Sequence, residues 1–542
     1  MGLIEVALES GLVCAVSAVD GDFDGPVAVL RRLLESLARP PTVDAPLGIV
    51  ASSVAGVAAP GTARCAAIGL SPLSGAVAET RAEGPFAAGL RAAGVTGVIL
   101  TGRAAEPVCV VIEDGSARLE PATDLWGLDT GPATDLLEQR YGSSAVAVIG
   151  PAGENQVRYA SIVTCRHHPL PRLGLGAVLG AKRVKAVICV GTRQPSVADP
   201  VALARIGADY AAALPGNTLT AGQRGWPGFG VWAAEPGYAT VANFTDTTSP
   251  TGVAEVPPEI ARGAGIAACP GCPTDCIKVY AGAGLHQEAL AMLGPGLGVP
   301  NPWPLLARCE QLGLDPVSLG GTLAAAGVRP ADVAARVERI GAGRDPLADG
   351  AARAAPKTAM TSKDVELPPF DPRVQPNLGL AYAVAPIGPR YDVVEHDLDF
   401  DPDEGLPDSF GEMRMLGVEV PRPRGEFDVW RTAQLMRLWS GLDALGVCLF
   451  AATPTRPLRL AQVEALVCAV TGRTPKVLAL GAQRLRLQQA INTRLGVGAG
   501  DLPEIFFTEP VRRGRYAGAV LNRAAFDAAA SALRTDLGFQ SL

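Results

Sequence analysis

The chain has 542 residues, 48% of them hydrophobic and 19% charged, with a formal net charge of −7 and a pI near 5.4. This length exceeds what one hydrophobic core serves, so we expect two to four domains. The acidic balance and the lack of a long Lys/Arg run argue against nucleic acid or an anionic membrane surface as a partner. No stretch approaches the roughly 18 uninterrupted apolar residues of a membrane span.

The first residues, "MGLIEVALESGLVC", carry early acidic side chains and no basic segment before an apolar run. They do not resemble a secretory signal, so we expect a cytoplasmic protein whose 11 cysteines are reduced. Eight of these cysteines are scattered singly, and a small buried hydrophobe is the usual role of such a residue. The other three lie close together.

The region up to about residue 195 is predicted to be β-rich with a few helices. Short Val/Ile-rich runs closed by Gly, Pro or Asp predict strands. These runs are "LGIVASSVAG", "GVTGVILTG", "PVCVVIEDG", "SAVAVIGPAG" and "RVKAVICVGT". The segment "PFAAGLRAAG" has apolar residues at helical spacing and predicts one of the few helices.

The remainder of the chain is predicted to be mainly helical, because apolar residues recur at helical spacing and the segments often end in Gly. The segments are "PVALARIGADYAAAL", "PWPLLARCEQLG", "PADVAARVERIGAG", "VWRTAQLMRLWSGLDALG" and "LRLAQVEALVCAVTG". A polar, Pro-rich strip divides this part near residue 405. We therefore predict an α+β chain with a β-rich domain over 1–195 and helical domains over 196–405 and 406–542.

Three cysteines, Cys269, Cys272 and Cys276, form C-x2-C-x3-C in "CPGCPTDC". A thiolate site normally takes four ligands, so one is missing. Zinc is disfavoured, because no second C-x2-C pair exists and the four histidines form no H-x3-5-H pair. A [4Fe–4S] cluster accepts three neighbouring cysteines and a distant one. Radical-SAM enzymes carry the reverse order, C-x3-C-x2-C, so a distant cysteine is needed here.

The best candidate for the fourth ligand is Cys448. It follows a helical segment and forms D-x-x-G-x-C with Asp443 and Gly446. A near copy upstream, "CEQLGLD", contains Glu310 and Asp315 and also places Gly at an expected helix C-cap. The repetition suggests two similar turns that hold equivalent halves of one ligand. A single such pattern is also that of an ordinary helix ending in Gly.

Taken together, the motifs resemble the aldehyde:ferredoxin oxidoreductase family of tungsten or molybdenum bis-pterin enzymes. The similar stretches run in order over nearly the whole chain. They are "SPLSG", "DLWGLDT", "VAVIGPAGENQVRYASI", "LGAVLGAKRVKAV", "CPGCPTDC", "LAMLGP", "LGLAYA", "AVTGRTP" and "LPEIFFTEPV". The resemblance implies that the N-terminal domain is the base on which the cofactor lies and that two helical domains close over it.

The resemblance also implies a set of cofactor residues. It assigns a [4Fe–4S] cluster to the four cysteines, and a tungstopterin or molybdopterin pair, with a magnesium ion bridging the phosphates, to two acidic motifs and two arginines. Carboxylates accept hydrogen bonds from pterin N–H groups, and guanidinium binds phosphate in bidentate fashion. The residues concerned are Cys269, Cys272, Cys276 and Cys448 for the cluster, Glu310, Leu314 and Asp315 for one pterin, Asp443 and Val447 for the other, and Arg64 and Arg172 for the phosphates.

The catalytic candidate is Glu288 in "HQEALAMLGP", which matches the family's glutamate close to the metal. A buried carboxyl there would have a raised pKa and act as general acid/base, whereas without the resemblance it would be an ordinary solvated helix residue. Tyr391 stands where the family carries a histidine, and His396 five residues on is the alternative through a shifted loop. Arg81 replaces a family asparagine near the phosphates and magnesium, and could bind phosphate directly in place of the ion. Leu173 replaces a glycine.

The function that the resemblance implies is oxidation of an aldehyde to a carboxylic acid, or the reverse, on a small-molecule substrate. Electrons would leave through the cluster to ferredoxin or to an iron–sulfur subunit. The departures from the family pattern leave two alternatives open: a divergent enzyme acting on a non-aldehyde substrate, and a catalytically silent electron-transfer or scaffold subunit. The sequence does not choose tungsten over molybdenum, nor a homo-oligomer over a hetero-oligomer.

Overall fold

The computed structural model of the chain describes residues 2–16, 23, 25–37, 45–142, 145–217, 239–247, 265–267, 269–274, 276–280, 282–284, 287–403, 405–407, 410–422, 425–452 and 454–539.

The first sheet of the described chain has six strands in the order β2-β1-β6-β3-β4-β5. Strands β1 and β6 are parallel, and the other neighbours are antiparallel. The central strands are buried on both faces, which explains their continuous apolar sequences. The strands are β1 Leu3–Ala7, β2 Leu12–Ala15, β3 Leu47–Val50, β4 Arg64–Leu70, β5 Val77–Glu83 and β6 Gly97–Thr101.

The second sheet of this region is also mixed, with the order β11-β10-β9-β12-β7-β8. Its strands are β7 Val108–Glu113, β8 Ser116–Pro121, β9 Ala145–Val148, β10 Ile162–Thr164, β11 His168–Leu170 and β12 Val184–Val190. The accompanying helices are α1 Pro26–Ser36, α2 Pro85–Ala92, α3 Thr130–Tyr141, α4 Pro151–Glu154 and α5 Leu175–Ala181. The five predicted strands are confirmed as β3, β6, β7, β9 and β12, and the predicted helix as α2.

Helices dominate the rest of the described chain, which confirms the predicted α+β fold. The middle elements are α6 Pro200–Ala213, β13 Gly265–Ile266, β14 Lys278–Tyr280, β15 Ala283–Gly284, α7 Gln287–Leu293, α8 Trp303–Leu312, α9 Pro316–Ala325, α10 Val333–Gly341, α11 Ala351–Ala354, β16 Thr361–Ser362, β17 Val365–Glu366 and α12 Pro376–Val384. The last elements are α13 Phe410–Met415, α14 Val429–Leu445, α15 Leu460–Thr471, α16 Val477–Arg494, α17 Ile505–Thr508 and α18 Arg523–Asp536.

The predicted domain boundaries at residues 195 and 405 stay predictions. Hydrophobic contacts between the predicted domains cross both positions. Helix α6 follows the first boundary, yet its Leu203 and Ile206 share a buried cluster with Leu466 and Val470 of α15. Helix α1 of the N-terminal region likewise packs against α14 and α16. The C-terminal helices therefore rest directly on the N-terminal sheets.

Helices α14 and α16 cross closely through two glycines. A Cβ atom added at Gly481 would lie 2.6 Å from the amide nitrogen of Gly441 and would also collide with the carbonyl oxygen of Arg437. One added at Gly441 would collide with the carbonyl oxygen of Val477. Only glycine allows the two backbones to approach this closely. The crossing brings Asp443 of α14 and Arg484 of α16 together.

We expect Gly481→Ala to destabilise the protein by about 1–3 kcal/mol, because the added methyl group overpacks this crossing. The matched control is Gly207→Ala in α6, where an added Cβ meets nothing within 4 Å. That change should stabilise the protein by about 0.5–1 kcal/mol, the difference between Gly and Ala inside a helix. Urea unfolding of the full chain measures both. Equal stability of the two variants would contradict the described crossing.

Candidate cofactor-binding and catalytic site

The loop that carries three of the predicted cluster cysteines is held against one N-terminal segment. It connects the antiparallel strands β13 and β14, and its C-x2-C turn is closed by the Cys272 amide, which donates to the carbonyl of Cys269 at 3.1 Å. Gly271 has a φ of 73° and packs so tightly that an added Cβ would lie 2.5 Å from the carbonyl carbon of Ala58. The turn therefore rests on residues 58–59.

The fourth predicted cysteine reaches the same segment from the other side. Cys448 follows α14 and donates its amide hydrogen to the carbonyl of Gly61 at 2.8 Å. Burial raises the pKa of the Cys448 thiol well above its usual range, and the charges of Glu83 and Cys276 add to this effect. Burial and then Cys276 likewise raise the pKa of Cys269. The structure thus brings Cys269, Cys276 and Cys448 within electrostatic reach of one another.

Among the described residues, no group of three or more His, Cys, Asp or Glu side chains is placed to hold one metal ion. A cluster of four irons has a different requirement, because each cysteine binds its own iron and the four sulfurs stand farther apart than around one ion. The ligand roles of the four cysteines remain predictions.

The charged face of β5 forms the centre of the candidate cofactor site. Glu79, Arg81 and Glu83 alternate along the strand, so all three side chains point to one face of the sheet. Arg64 of β4 lies opposite Glu83 in the sheet register and pairs with it at 2.9 Å. Helices α14 and α16 cover this face and supply Asp443 and Arg484.

These residues form a buried ion-pair network with the loop at 390–392. Arg81 lies 2.8 Å from Asp443 and 2.9 Å from Asp392, and Arg64 lies 3.1 Å from Asp443. Arg484 pairs with Glu79 at 2.6 Å, and Arg390 pairs with Asp392 at 2.8 Å. Formal charges in the network balance. Its members are Arg64, Arg81, Arg390 and Arg484 facing Glu79, Glu83, Asp392 and Asp443.

The two aspartates respond differently to this environment. Burial alone would raise the pKa of Asp392, but Arg390 and Arg81 outweigh it and hold that pKa well below its usual range. Burial raises the pKa of Asp443 even though Arg81 and Arg64 act against it. Asp392 is therefore the fixed anion of the network, and Asp443 is the group that takes up a proton more readily.

Arg172, the other arginine predicted to bind phosphate, lies in a strained turn. Arg172, Leu173 and Gly174 all have positive φ values, of 72°, 61° and 77°. A side chain in the left-handed region costs roughly 1–2 kcal/mol per residue, so Leu173 occupies a conformation that its predicted family counterpart, glycine, adopts freely. The Arg172 guanidinium donates to Ser318 Oγ at 2.9 Å and to the carbonyl of Pro389 at 3.1 Å. The turn is thereby tied to α9 and to the 389–392 loop.

Both acidic motifs end their helices at glycine as predicted, but their carboxylates have different hydrogen-bond partners. Gly313 and Gly446 are left-handed C-caps with φ of 69° and 64°, and Leu314 and Val447 after them are buried. Asp315 accepts hydrogen bonds from the first amides of α9 and lies 3.4 Å from Arg172. The remaining acid, Glu310, is bound to His167 Nδ1 at 2.7 Å and to the amide of Gly284 at 2.8 Å.

Glu288 lies on α7 and is buried, with 2% of its surface exposed. Burial raises the pKa of its carboxyl to about 8, and the negative charge of Asp392 adds to this against the opposing Arg390 and Arg172. Tyr391 begins the short 3-10 turn Tyr391–Val393, and burial followed by Glu288 raises its pKa well above the usual range. Tyr391 is therefore within electrostatic reach of Glu288.

The alternative histidine has other neighbours. The His396 ring packs edge-on against Phe370 with centroids 4.5 Å apart and hydrogen-bonds the backbone of Tyr391. Burial lowers its pKa, although Glu395 and Asp397 act against this shift. His396 is therefore a neutral ring that supports the Tyr391 turn.

The donor set fits a ligand that combines phosphate oxygens with ring N–H groups. Among the described residues, Arg64 Nε, Arg172 Nε and Trp439 Nε1 are buried donors without a hydrogen-bond partner. Leaving such atoms unsatisfied is costly, so a bound group is expected to satisfy them. Trp439 and Asp443 lie one helical turn apart on α14 and line the same small cavity with Arg81 and Arg484. A bis-pterin cofactor has the matching oxygens and N–H groups.

Sequence reasoning missed five members of the network: Glu79, Glu83, Arg390, Asp392 and Arg484. The alternating charges of "ETRAE" in an otherwise apolar strand were a usable signal, because ionised groups on a covered strand face need partners. Nothing local marked Arg484, which is almost fully buried within α16. Its partner Glu79 is 405 positions away in the chain.

Two family profiles match the chain. The N-terminal domain of aldehyde ferredoxin oxidoreductase matches residues 20–191, and domains 2 and 3 of the same family match residues 330–540. The chain belongs to the aldehyde ferredoxin oxidoreductase family. No helix among the described residues has the length and hydropathy that a membrane crossing requires.

Curated relatives carry the same family name. The tungsten-containing aldehyde ferredoxin oxidoreductase of Pyrococcus furiosus is 30% identical over 402 residues, which span 63% of this chain and 65% of that protein. The corresponding protein of Thermococcus kodakarensis is 28% identical over 66% of both chains. The WOR-like subunit of the Pyrococcus furiosus aliphatic sulfonate oxidoreductase is 33% identical over 136 residues. The chain thus matches about two thirds of the length of the two aldehyde ferredoxin oxidoreductases.

One solved structure has a similar fold over almost the whole chain. The active-site complex BamBC of benzoyl coenzyme A reductase, in complex with 1,5-dienoyl-CoA, superimposes with a TM-score of 0.77 and 19% identity. The match covers 99% of this chain and 94% of that one. The similarity confirms the fold.

The raised pKa of Glu288 predicts a pH-dependent loss of stability. Between the ordinary carboxyl pKa of 4.5 and about 8, the folded state holds a proton that the unfolded state has lost, so stability falls as pH rises through this window. Glu288→Gln removes the titration, and its stability advantage over the wild type should grow from pH 5 to pH 8. Urea unfolding at several pH values measures it, with Glu106→Gln at an exposed position as control. A constant difference across the window would contradict the buried protonated carboxyl.

Proposed function

We propose that this protein is a tungsten- or molybdenum-bis-pterin oxidoreductase that interconverts an aldehyde and a carboxylic acid. Electrons pass through a [4Fe–4S] cluster to ferredoxin or to an iron–sulfur partner subunit. The supporting observation is the segment 58–64, which contacts the cysteine loop at Ala58, Cys448 at Gly61 and Asp443 through Arg64. One short stretch of backbone therefore joins the proposed cluster site to the proposed pterin site, as electron transfer between them requires.

The residues that we propose to hold the cofactors are the cysteines and network residues at this segment, together with those around Arg172. Cys269, Cys272, Cys276 and Cys448 hold the cluster. Arg64, Arg81 and Arg172 bind pterin phosphates, and Arg81 takes the place of magnesium there. Asp315 and Asp443 accept hydrogen bonds from the two pterin rings, next to the buried Leu314 and Val447, while Glu310 sets the end of α8 through His167.

The overall reaction is RCHO + H2O → RCOOH + 2H⁺ + 2e⁻, and the chain must handle the protons. When bound, the metal–pterin group would supply the acceptor for the two electrons of this oxidation. The ionised Glu288 carboxylate takes a proton from the water that becomes the product oxygen. Arg390 and Arg172 favour this ionised form. In the reverse direction the protonated carboxyl returns the proton.

Tyr391 acts as a hydrogen-bond donor to the substrate oxygen. Its phenol stays protonated at neutral pH because burial and the charge of Glu288 both raise its pKa. His396 supports this role by holding the backbone of the Tyr391 turn. A phenol cannot carry the positive charge that an imidazole carries, so the substitution changes which substrates the site accepts. The presence of Tyr391 at this position favours, as a second candidate function, an enzyme that acts on a non-aldehyde substrate.

A catalytically silent electron-transfer or scaffold subunit is the other candidate. The observation that favours it is the balanced ion-pair network, in which Arg64, Arg81 and Asp443 already satisfy one another's charge. Such a network needs no anionic ligand for neutrality. A cytoplasmic location remains the expectation for either candidate.

The proposed role of Glu288 predicts the pH profile of aldehyde oxidation. With acetaldehyde as substrate and a viologen dye as acceptor, kcat/KM should rise with pH to a plateau above about 8, since the carboxyl must lose its proton to act as base. Glu288→Gln should lower the rate roughly 10²–10⁴-fold and abolish this limb. Glu106→Gln is the surface control. Wild-type activity in Glu288→Gln protein of equal metal content would exclude the role.

A further inference from the structure

Tyr382 is a buried phenol without a partner in the described part of the chain. It lies on α12 with no exposed surface, and its hydroxyl makes no hydrogen bond to any described residue. The buried phenols elsewhere have partners: Tyr159 donates to the carbonyl of Leu347 at 2.9 Å, and the Tyr210 hydroxyl lies 2.8 Å from that of Thr274. An unsatisfied buried hydroxyl destabilises a fold, so a bound molecule is the expected partner of Tyr382.

The surroundings of Tyr382 are those of the proposed catalytic carboxyl. Besides burial, the charges that act on Tyr382 are those of Arg172, Glu288, Asp371 and Asp392. Arg172 and Asp392 also act on Glu288. The charges of Glu288 and Asp392 also act on Tyr391, whose turn packs against α12. Asp392 therefore acts on all three groups, and Glu288 acts on both phenols.

All three groups are neutral O–H donors at pH 7. The carboxyl of Glu288 has a pKa of about 8, and burial raises the pKa of both phenols well above 10. Neutral O–H groups donate to oxygen acceptors, and the nearby Arg172 and Arg390 favour a partial or full negative charge. A carbonyl or carboxylate oxygen suits this environment, whereas an ammonium group does not.

We infer that Tyr382 is a further substrate-binding residue, whose phenol donates a hydrogen bond to a carbonyl or carboxylate oxygen beside Glu288. The inference rests on the proposed function and narrows its substrate class to compounds that present such an oxygen next to the reacting carbon. Tyr382 and Tyr391 then hold the substrate oxygen from two sides, while Glu288 exchanges the proton.

The test compares Tyr382→Phe with Tyr159→Phe in the full-length protein, using butyrate as the probe. Without butyrate, Tyr382→Phe should unfold at the wild-type temperature or above, because it removes an unsatisfied hydroxyl. Tyr159→Phe should unfold a few degrees lower, because the Leu347 carbonyl loses its donor. Calorimetry should show butyrate binding weakened about tenfold or more by Tyr382→Phe, the loss of one hydrogen bond to a charged acceptor. Tyr159→Phe should leave that affinity unchanged.

Four results would overturn the inference. Destabilisation by Tyr382→Phe equal to that by Tyr159→Phe would mean that the protein itself satisfies the hydroxyl. Unchanged butyrate affinity would mean that the hydroxyl binds an ordered water only. Lower pterin content at unchanged butyrate affinity would place the phenol on the cofactor. Absence of butyrate binding to the wild-type protein would exclude carboxylates as ligands of Tyr382.

Failure of this inference is distinct from failure of the proposed function. Wild-type protein that lacks pterin and aldehyde activity, yet binds butyrate through Tyr382, would refute the function and support the inference. An active aldehyde oxidoreductase whose butyrate affinity is unaffected by Tyr382→Phe would refute only the inference.

Discussion

The constraint on which the rest of the structure depends is the burial of seven of the eight charged side chains in the ion-pair network, which come from strands β4 and β5, helices α14 and α16 and the 390–392 loop. Each of these charges costs several kcal/mol when taken out of water, and only close pairing offsets that cost. Arg81 pairs at once with Asp392 and Asp443, so β5, α14 and the 390–392 loop must remain together. Arg484 adds α16 through Glu79. The Gly441–Gly481 crossing is the packing that lets the two helices deliver these groups.

The same network explains how the proposed redox parts are held at fixed positions. Arg64 begins β4, a few residues after the backbone on which the cysteine loop and Cys448 rest. Across the site, Arg172 donates to the Pro389 carbonyl, and Arg390 donates to the Pro171 carbonyl at 3.2 Å. This reciprocal pair of hydrogen bonds fixes the loop that carries Tyr391. Glu288 is within electrostatic reach of both arginines, which the network already orders.

Local sequence predicted those features whose physical cause is local. The helices that end at Gly313 and Gly446 follow from helical spacing and from the left-handed cap that glycine adopts most easily. The strands followed from short Val/Ile runs, and the cysteine loop from ligand spacing. The resemblance to a family supplied Glu288 and Arg64, which spacing alone did not single out.

Features that depend on distant partners could not be predicted in this way. Glu79 and Arg484 meet only in the folded chain, and the unsatisfied hydroxyl of Tyr382 is visible only when its surroundings are known. Glu310 matched its motif in sequence, but the fold turns its carboxylate toward His167. Leu173 occupies a left-handed conformation that its residue type does not favour, so the surrounding turn rather than local preference sets its backbone.

The content of metal and pterin in protein purified without oxygen tests the account most directly. Elemental analysis for W, Mo, Fe and Zn should find about four iron atoms and about one tungsten or molybdenum per chain, together with extractable pterin. Those values would mean that the cysteines and the buried arginines serve the two proposed cofactors. About four iron atoms without tungsten, molybdenum or pterin, in protein from a host able to make the cofactor, would contradict the catalytic account and leave an electron-carrying or scaffold subunit.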